Sequence, residues 1–285
     1  MKVRLPSHGE FFRVAEIIKA GRLHTICESA RCPNAGECWE RGTATFLVLG
    51  PTCTRDCGFC AVAKGRPFAL DPDEPARVAA AVASLGLSYA VITSVTRDDL
   101  PDGGAAHFAA VIRAIRANRP GTRVEALIPD FGGDAAALET VLEAAPDVLN
   151  HNLETTESLY PAIRRPRENY RRSLDVLAAA KRRGALTKSG LMIGLGESET
   201  DILRTFADLR RAGCDLLTVG QYLQPTAAHP PVAKYYTPEE FETFGATARR
   251  AGFQEVVSGP LVRSSYEAGR LFEAAREKDG APCAT

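Results

Sequence analysis

From Thr45 onward the sequence alternates between two textures, six times over. Short apolar runs fall at Thr45–Leu49, Tyr89–Thr93, Arg123–Ile128, Val148–Asn152, Leu186–Ile193 and Leu216–Val219. Longer segments with helical periodicity follow them at Asp73–Leu85, Ala105–Asn118, Asp134–Ala144, Glu168–Arg183, Glu199–Ala212 and Pro238–Ala251. Such alternation implies a parallel sheet with helices outside it. Strands covered on both faces read as unbroken apolar runs, as Tyr89–Ile92 (YAVI) does. Six units fall short of the eight in a closed barrel. The expected fold is therefore α/β, a partial (β/α)6 TIM-like barrel, with a doubly wound open sheet as the alternative. Residues 1–44 form a cysteine-rich N-terminal extension in which a short helix is expected at Gly9–Ala20. The repeat fills residues 45–252, and residues 253–285 make a C-terminal helical segment.

In folds of this kind functional groups collect at the C-terminal ends of strands. Polar residues cluster there: Pro51 to Cys60, Thr93 to Asp99, Asn150 to Glu154, Gly194 to Glu197, and Gln221, Tyr222 and Gln224. The charge balance, 35 basic against 35 acidic residues, gives no global field for nucleic acid or an anionic membrane. A local cluster of Arg164, Arg165, Arg167, Arg171 and Arg172 reads as a solvated face or as a surface for an acidic carrier domain. No apolar run approaches the roughly 18 residues of a membrane span. The opening MKVRLPSHGEFFRV has no apolar core of a secretory signal. A cytoplasmic location is expected, where clustered cysteines point to metal or catalysis before disulfides.

Six of the eight cysteines fall between positions 27 and 60, in two triplets. Cys53, Cys57 and Cys60 are spaced C-x3-C-x2-C. Three thiolates on one loop hold three irons of a [4Fe–4S] cluster and leave the fourth iron open. Structural zinc wants four ligands in paired short spacings, which this triplet does not supply. Cys27, Cys32 and Cys38, spaced C-x4-C-x5-C, suggest a second cluster whose fourth ligand is distant or absent. Cys214 reads as a small buried hydrophobe, and Cys283 lies in the tail.

The C-x3-C-x2-C motif, with Phe59 before its last cysteine and a strand directly ahead of it, resembles the radical S-adenosylmethionine (SAM) superfamily. From about Arg22 to Arg270 the chain resembles the lipoyl synthase family within it. The segments that carry the resemblance are His24–Trp39, Thr43–Cys60, Thr93–Gly104, Asn150–Thr155, Lys188–Glu197, Gly220–Thr226 and the RSSY of Arg263–Tyr266. The paired triplets and RSSY set it apart from biotin-synthase-like sulfur transferases and methylthiotransferases, the nearest alternatives. A non-enzymatic iron–sulfur or zinc-binding module, a more distant alternative, has no need of six β/α units. Glu267 departs from the basic residue or histidine frequent after the motif's tyrosine.

The resemblance implies a transferase that inserts two sulfur atoms at C6 and C8 of an octanoyl chain on a carrier-protein lysine. No side chain deprotonates an alkane carbon, so the hard chemistry belongs to cofactors. Those implied are two [4Fe–4S] clusters and SAM. The cluster on Cys53, Cys57 and Cys60 splits SAM to a radical that abstracts hydrogen. The auxiliary cluster on Cys27, Cys32 and Cys38, capped by Ser265 with Ser264 as the alternative, donates the sulfur and is consumed. SAM contacts are expected from Phe59, Thr93, Ser94, Asp102, Gly103, Gly104, Asn152, Glu154, Arg172, Lys188 and Tyr222, with Gly103–Gly104 and Gly194–Gly196 permitting close backbone approach. His151 reads equally as functional or as a satisfied rim histidine. Implied partners are the lipoyl domains of 2-oxoacid dehydrogenases, the glycine cleavage H protein, a low-potential electron donor and an iron–sulfur carrier, with no nucleic acid and no membrane.

Overall fold

A computed structural model of the chain describes residues 9–280. Two compact units emerge: Leu149 and the chain before it with Pro225–His229, and Asn150–Gln224 with the chain from Pro230 onward.

The first unit begins with α1 (Gly9–Ala20), at the predicted bounds, packed on α3 (Ala35–Glu40). Between them lie β1 (His24–Thr25) and α2 (Ile26–Ser29). The cysteine-rich stretch thus carries two short helices. Thr25 caps α2 by accepting the Glu28 N–H, a capping arrangement legible only in so short an element's own residues. β1 pairs antiparallel with β2 (Thr45–Val48), setting His24 opposite Leu47. β2 runs parallel to β5 (Tyr89–Ser94), which runs parallel to β6 (Arg123–Leu127). A separate small ladder joins β3 (Thr52–Cys53) to β4 (Ala63–Lys64). The crossover helices α4 (Glu74–Ser84), α5 (Ala105–Asn118) and α6 (Ala135–Glu143) pack side by side. Phe46, Ile92, Phe108, Ile112 and Val124 are fully buried under them. Asp134 starts α6 by accepting the N–H groups of Ala136 and Ala137.

β7 (Val148–Asn150) spans the point where the second unit begins. It stops two residues earlier than predicted. The chain beyond it bends: Glu154 sits in the left-handed region at φ 74, and the backbone meets β8 (Thr187–Ile193) again through Glu154 N to Gly190 O and Met192 N to Glu154 O. α7 (Glu168–Arg182), α8 (Glu199–Arg211) and α9 (Pro238–Arg250) alternate with β8 and β9 (Leu216–Gln221), which pair in parallel. Ser198 caps α8, and Thr237 with Glu240 forms a capping box on α9 ahead of Pro238. β10 (Glu255–Gly259), absent from the sequence-based expectation, adds a further parallel strand on β9, and α10 (Ala268–Gly280) follows. Tyr160, Tyr170, Phe206, Phe241 and Phe253 dominate the core here, and Cys214 sits among them as predicted. Cys283 lies outside the described residues. No helix among the described residues is long and apolar enough to cross a membrane.

Phe206 is buried and meets Phe253 edge-on at 6.3 Å between ring centroids. Phe206→Ala is expected to destabilise the protein by about 3–5 kcal/mol, seen as a lower denaturant midpoint.

Candidate active site

In the first unit both cysteine triplets lie within one continuous stretch, and none of the seven described cysteines forms a disulfide. Cys27 is buried in α2, and Cys38 lies half-buried in α3. The backbone turns between them through Cys32 N to Cys27 O (2.9 Å), Ala35 N to Cys32 O (3.2 Å) and Cys38 N to Asn34 O (2.9 Å). Burial pushes the Cys27 thiol up. Burial, and then repulsion from Cys27 and Cys32, pushes the Cys38 thiol up to about 12. Among the described residues no group of three or more Cys, His, Asp or Glu side chains is gathered closely enough to hold a metal ion, so the fit of this triplet to a cluster rests on its chemistry: three thiols whose ionisation burial and one another oppose, for which a cluster's cations would supply the counter-charge.

The second triplet is held differently. Cys53 ends β3, and its Sγ accepts N–H groups from Arg55 (3.4 Å) and Thr96 (3.3 Å). Backbone N–H donors aimed at sulfur suit a metal-bound thiolate. Arg55, inside the loop, anchors it to the strand ends. Its guanidinium forks onto Asp98 (2.7 Å to each oxygen) and meets the buried Asp130 at 2.7 Å. Thr54 adds N–H and hydroxyl bonds to Thr96 O, both at 3.0 Å. At the far end, His229 Nε2 bonds Cys60 O at 3.1 Å while its Nδ1 bonds the Thr226 hydroxyl at 2.8 Å. A carbonyl only accepts, so Nε2 is the donor to Cys60 O. Arg55, Asp98, Asp130 and His229 were not among the predicted site residues. The signal for three of them was present, as polar residues at strand ends or inside the motif.

The other predicted residues of this unit divide by what their polar atoms do. Thr93 donates its hydroxyl to Leu127 O, and Asp102 accepts from Gly104 N and Ala106 N at the start of α5. Ser94 Oγ is sealed from solvent with no hydrogen-bond partner in the protein. Phe59 is half-buried in the loop. Gly103 and Gly104 take φ of 61 and 92, and a Cβ on Gly104 would meet Leu49 Cδ1 at 2.5 Å. Their close approach is therefore to the protein's own Leu49 and Phe131.

In the second unit, Asn152, Glu154 and Ser264 come together. The Ser264 hydroxyl donates to Asn152 Oδ1 at 2.6 Å, and a Cβ on Gly190 would strike both. Burial pushes the Glu154 carboxyl up, against the pull of Arg165 and an Asn152 hydrogen bond. Arg165 is itself buried, stacked over the Tyr160 ring. Arg172 donates to Asn169 Oδ1 at 3.0 Å, Lys188 is buried in β8, and the Tyr222 hydroxyl donates to Pro230 O at 2.8 Å. His151 Nε2 bonds the Ser173 hydroxyl at 2.9 Å. Arg164, Arg167 and Arg171 are exposed. Ser265 and Glu267 lie in the turn before α10, where Glu267 pairs with Arg270 at 3.0 Å.

A radical SAM superfamily profile matches residues 47–209. Among curated proteins, the lipoyl synthase of Rubrobacter xylanophilus is 56% identical over 278 residues, covering 97% of this chain and 86% of that protein. The lipoyl synthase of Thermus thermophilus is 54% identical over 281 residues, covering 98% and 87%. Among solved structures, HydG, a maturase of the [FeFe]-hydrogenase, aligns with TM-score 0.58 at 15% identity, over 81% of this chain and 54% of that one. Coproporphyrinogen III oxidase (HemN) from Escherichia coli, a radical SAM enzyme, aligns with TM-score 0.52 at 16% identity, over 72% and 52%. The fold is accordingly the TIM-like α/β architecture of radical SAM proteins, as expected from the strand–helix repeat.

Two outcomes follow from this geometry. Asp130→Ala strips the buried carboxylate from Arg55 but leaves its fork onto Asp98, and is expected to cost about 2 kcal/mol in denaturant unfolding, the scale of one hydrogen bond to a charged group. In metal-free protein at pH 8, about one Cys38 in ten thousand is ionised if its thiol titrates near 12. Iodoacetamide labelling of Cys38, followed by peptide mass mapping, should therefore be orders of magnitude slower in the folded chain than in guanidinium. The folded rate should rise about tenfold per pH unit, because only the thiolate reacts.

Proposed function

This chain belongs to the lipoyl synthase family of radical SAM proteins, and from that membership we infer that it inserts two sulfur atoms, at C6 and C8, into an octanoyl chain carried on a protein lysine. The observation that carries the reading is the pair of cysteine triplets within residues 27–60, each built into its own local structure. When bound, a [4Fe–4S] cluster with SAM supplies radical chemistry able to break an alkane C–H bond, and a second [4Fe–4S] cluster supplies sulfide.

The residues divide that work. Cys53, Cys57 and Cys60 hold three irons and leave one for SAM. Arg55 and His229 keep the loop that carries them in register. Cys27, Cys32 and Cys38 hold the auxiliary cluster, with Ser265 as its fourth ligand. The bond from Ser264 to Asn152 supports Ser265 over its neighbour, since it engages the Ser264 hydroxyl. Serine oxygen binds such iron less tightly than thiolate does, which suits a cluster that is taken apart. Among the SAM candidates, Ser94 is favoured by its sealed, unbonded hydroxyl and Glu154 by its burial. Phe59, Gly103, Gly104, Asn152, Arg172 and Lys188 remain in the set. Thr93, Asp102 and Tyr222 contribute by holding backbone around it. In functional terms residues 1–44 carry the auxiliary cysteines, 45–252 the SAM chemistry, and 253–285 the RSSY ligand.

The substrates are octanoylated carrier proteins. Lipoyl domains of 2-oxoacid dehydrogenases and the glycine cleavage H protein are the carriers we propose, together with a low-potential electron donor, an iron–sulfur carrier that rebuilds the auxiliary cluster, and a cytoplasmic setting.

Anaerobic reconstitution should give about eight irons per chain, counted against protein and acid-labile sulfide. Four would remove one cluster, and zinc without sulfide would remove the function. Cys53→Ala should abolish SAM cleavage. Cys27→Ala should keep SAM cleavage yet give no dithiolated octanoyl-lysyl peptide by mass spectrometry. Ser265→Ala should behave like Cys27→Ala, whereas Ser264→Ala should still yield product.

A further inference from the structure

The RSSY segment rests on a floor from which side chains are missing. Arg263–Tyr266 is a turn closed by the Tyr266 N–H on the Arg263 carbonyl at 2.9 Å, with Ser264 and Ser265 as its central residues. Two strand glycines lie against it. Gly220 of β9 pairs with Gly259 of β10, and a Cβ on Gly220 would collide with the Val262 carbonyl. Gly190 of β8 pairs with Thr218, which shares a face of β9 with Gly220. A Cβ on Gly190 would lie 2.6 Å from Ser264 Oγ, 2.8 Å from Asn152 Oδ1 and 2.9 Å from Thr218 Oγ1. Neither Gly190 nor Gly220 takes a positive φ, so no turn geometry requires them. Glycine inside a strand marks the close approach of another group, and here that group is the RSSY segment.

Over this floor the Ser264 hydroxyl donates to Asn152 Oδ1 at 2.6 Å, joining residues 112 apart in sequence. The Asn152 segment is itself pinned at the same place, because Glu154 N bonds Gly190 O at 3.0 Å. One central residue of a tight turn is thus fixed, and fixing it restricts its neighbour. We propose that Gly190, Gly220 and the Ser264–Asn152 bond seat the RSSY turn, and that Ser264 and Asn152 are positioning residues for Ser265 as the replaceable ligand of the auxiliary cluster. The inference rests on the reading of Ser265 as that ligand. A serine oxygen is a poor match for iron that otherwise binds thiolate, so it holds its place against water and small thiols through proximity. A seated turn supplies proximity as a high effective concentration. The Ser264–Asn152 bond does not touch iron, so it outlasts departure of Ser265 and keeps the turn in place for a rebuilt cluster.

The test uses the full chain carrying Cys53→Ala, Cys57→Ala and Cys60→Ala, so that the auxiliary cluster alone assembles from isotope-enriched iron. It is prepared with the unaltered turn and with Ser264→Ala, Ser264→Thr, Gly190→Ala or Ser265→Ala. Mössbauer spectra, which separate iron bound to oxygen from iron bound to thiolate, are recorded as 2-mercaptoethanol is added. The thiol sulfur takes the iron, and its proton goes to the departing serine oxygen. Ser264→Ala should lower the thiol concentration at half-exchange about fivefold, the factor expected for one hydrogen bond. Ser264→Thr keeps the hydroxyl and should restore the midpoint, while Gly190→Ala should lower it at least as far as Ser264→Ala. A Ser264→Ala midpoint equal to that of the unaltered turn overturns the proposal, whether or not Gly190→Ala folds. A Ser264→Thr midpoint as low as that of Ser264→Ala also overturns it, since the hydroxyl would then be immaterial. Ser265→Ala should have the lowest midpoint of all. If it matches the unaltered turn, Ser265 is not the ligand, and the underlying reading fails and takes the proposal with it.

Discussion

At the end of β2 the peptide of Leu49 is gripped from both sides. The buried Glu74 carboxylate accepts its N–H at 2.9 Å, and the buried Arg97 guanidinium donates to its carbonyl at 3.1 Å. Leu49 itself sits at φ 69, a conformation a branched residue adopts only when its surroundings impose it. His107 meets the same Glu74 oxygen at 2.7 Å, and Arg97 is held in turn by Asp99 through two bonds of 2.8 Å. These buried charges are paired and hydrogen-bonded, the condition under which burial is tolerable. They turn the chain out of the sheet into Gly50–Thr52, and so set where Cys53 begins. The side chain of Leu49 closes over Gly104, which is why that position has no room for a Cβ.

The large regular elements were legible because they bury whole faces. β5 and β9 are continuous apolar runs, and α8 and α9 announce their starts with Ser198 and Thr237. β10 was not legible, since within Glu255–Gly259 only Val256 is deeply buried and the apolar signal is correspondingly weak. The fourth strand was read two residues too long, to Asn152, because nothing in the sequence of His151 and Asn152 marks the end of pairing after Asn150, while the chain bends just beyond, where Glu154 turns into the left-handed region. At the site, the cysteines were legible by spacing alone. The status of the other polar residues was not. Thr93 and Ser94 are adjacent and chemically alike, yet one hydroxyl is spent on Leu127 O and the other has no protein partner. Arg55 and His229 escaped notice because their partners are 43 and 169 residues away, and no local pattern records such a pairing.

The two triplets stand in contrasting electrostatic settings. Cys53 receives two backbone N–H groups fixed by the fold, a pre-formed environment for anionic sulfur. At Cys27 and Cys38 burial, and then neighbouring cysteines of the triplet, oppose ionisation, and under the proposed ligand set iron would supply the counter-charge their thiolates lack. The first arrangement suits a cofactor that persists, and the second suits one whose assembly and dismantling are coupled to proton uptake and release. That difference parallels the proposed division between a permanent and a consumed cluster, and it arises from the local fold of the 34-residue window from Cys27 to Cys60.

The bond between His229 and Cys60 also bears on the order in which the protein is made. A ribosome completes Cys53, Cys57 and Cys60 after about a fifth of the chain, but their loop lacks its outer support until Pro225–His229 emerges. Closing a contact across 169 residues is slow relative to local folding, because the intervening chain must first lose its freedom. For most of synthesis, then, the thiols are present without the finished pocket. Iron delivered to the nascent chain would meet a loose, oxygen-accessible loop, whereas iron delivered after release meets a fixed one. The chain's own topology thus favours metal loading as a post-translational step and makes the timing of cluster delivery a property of the fold.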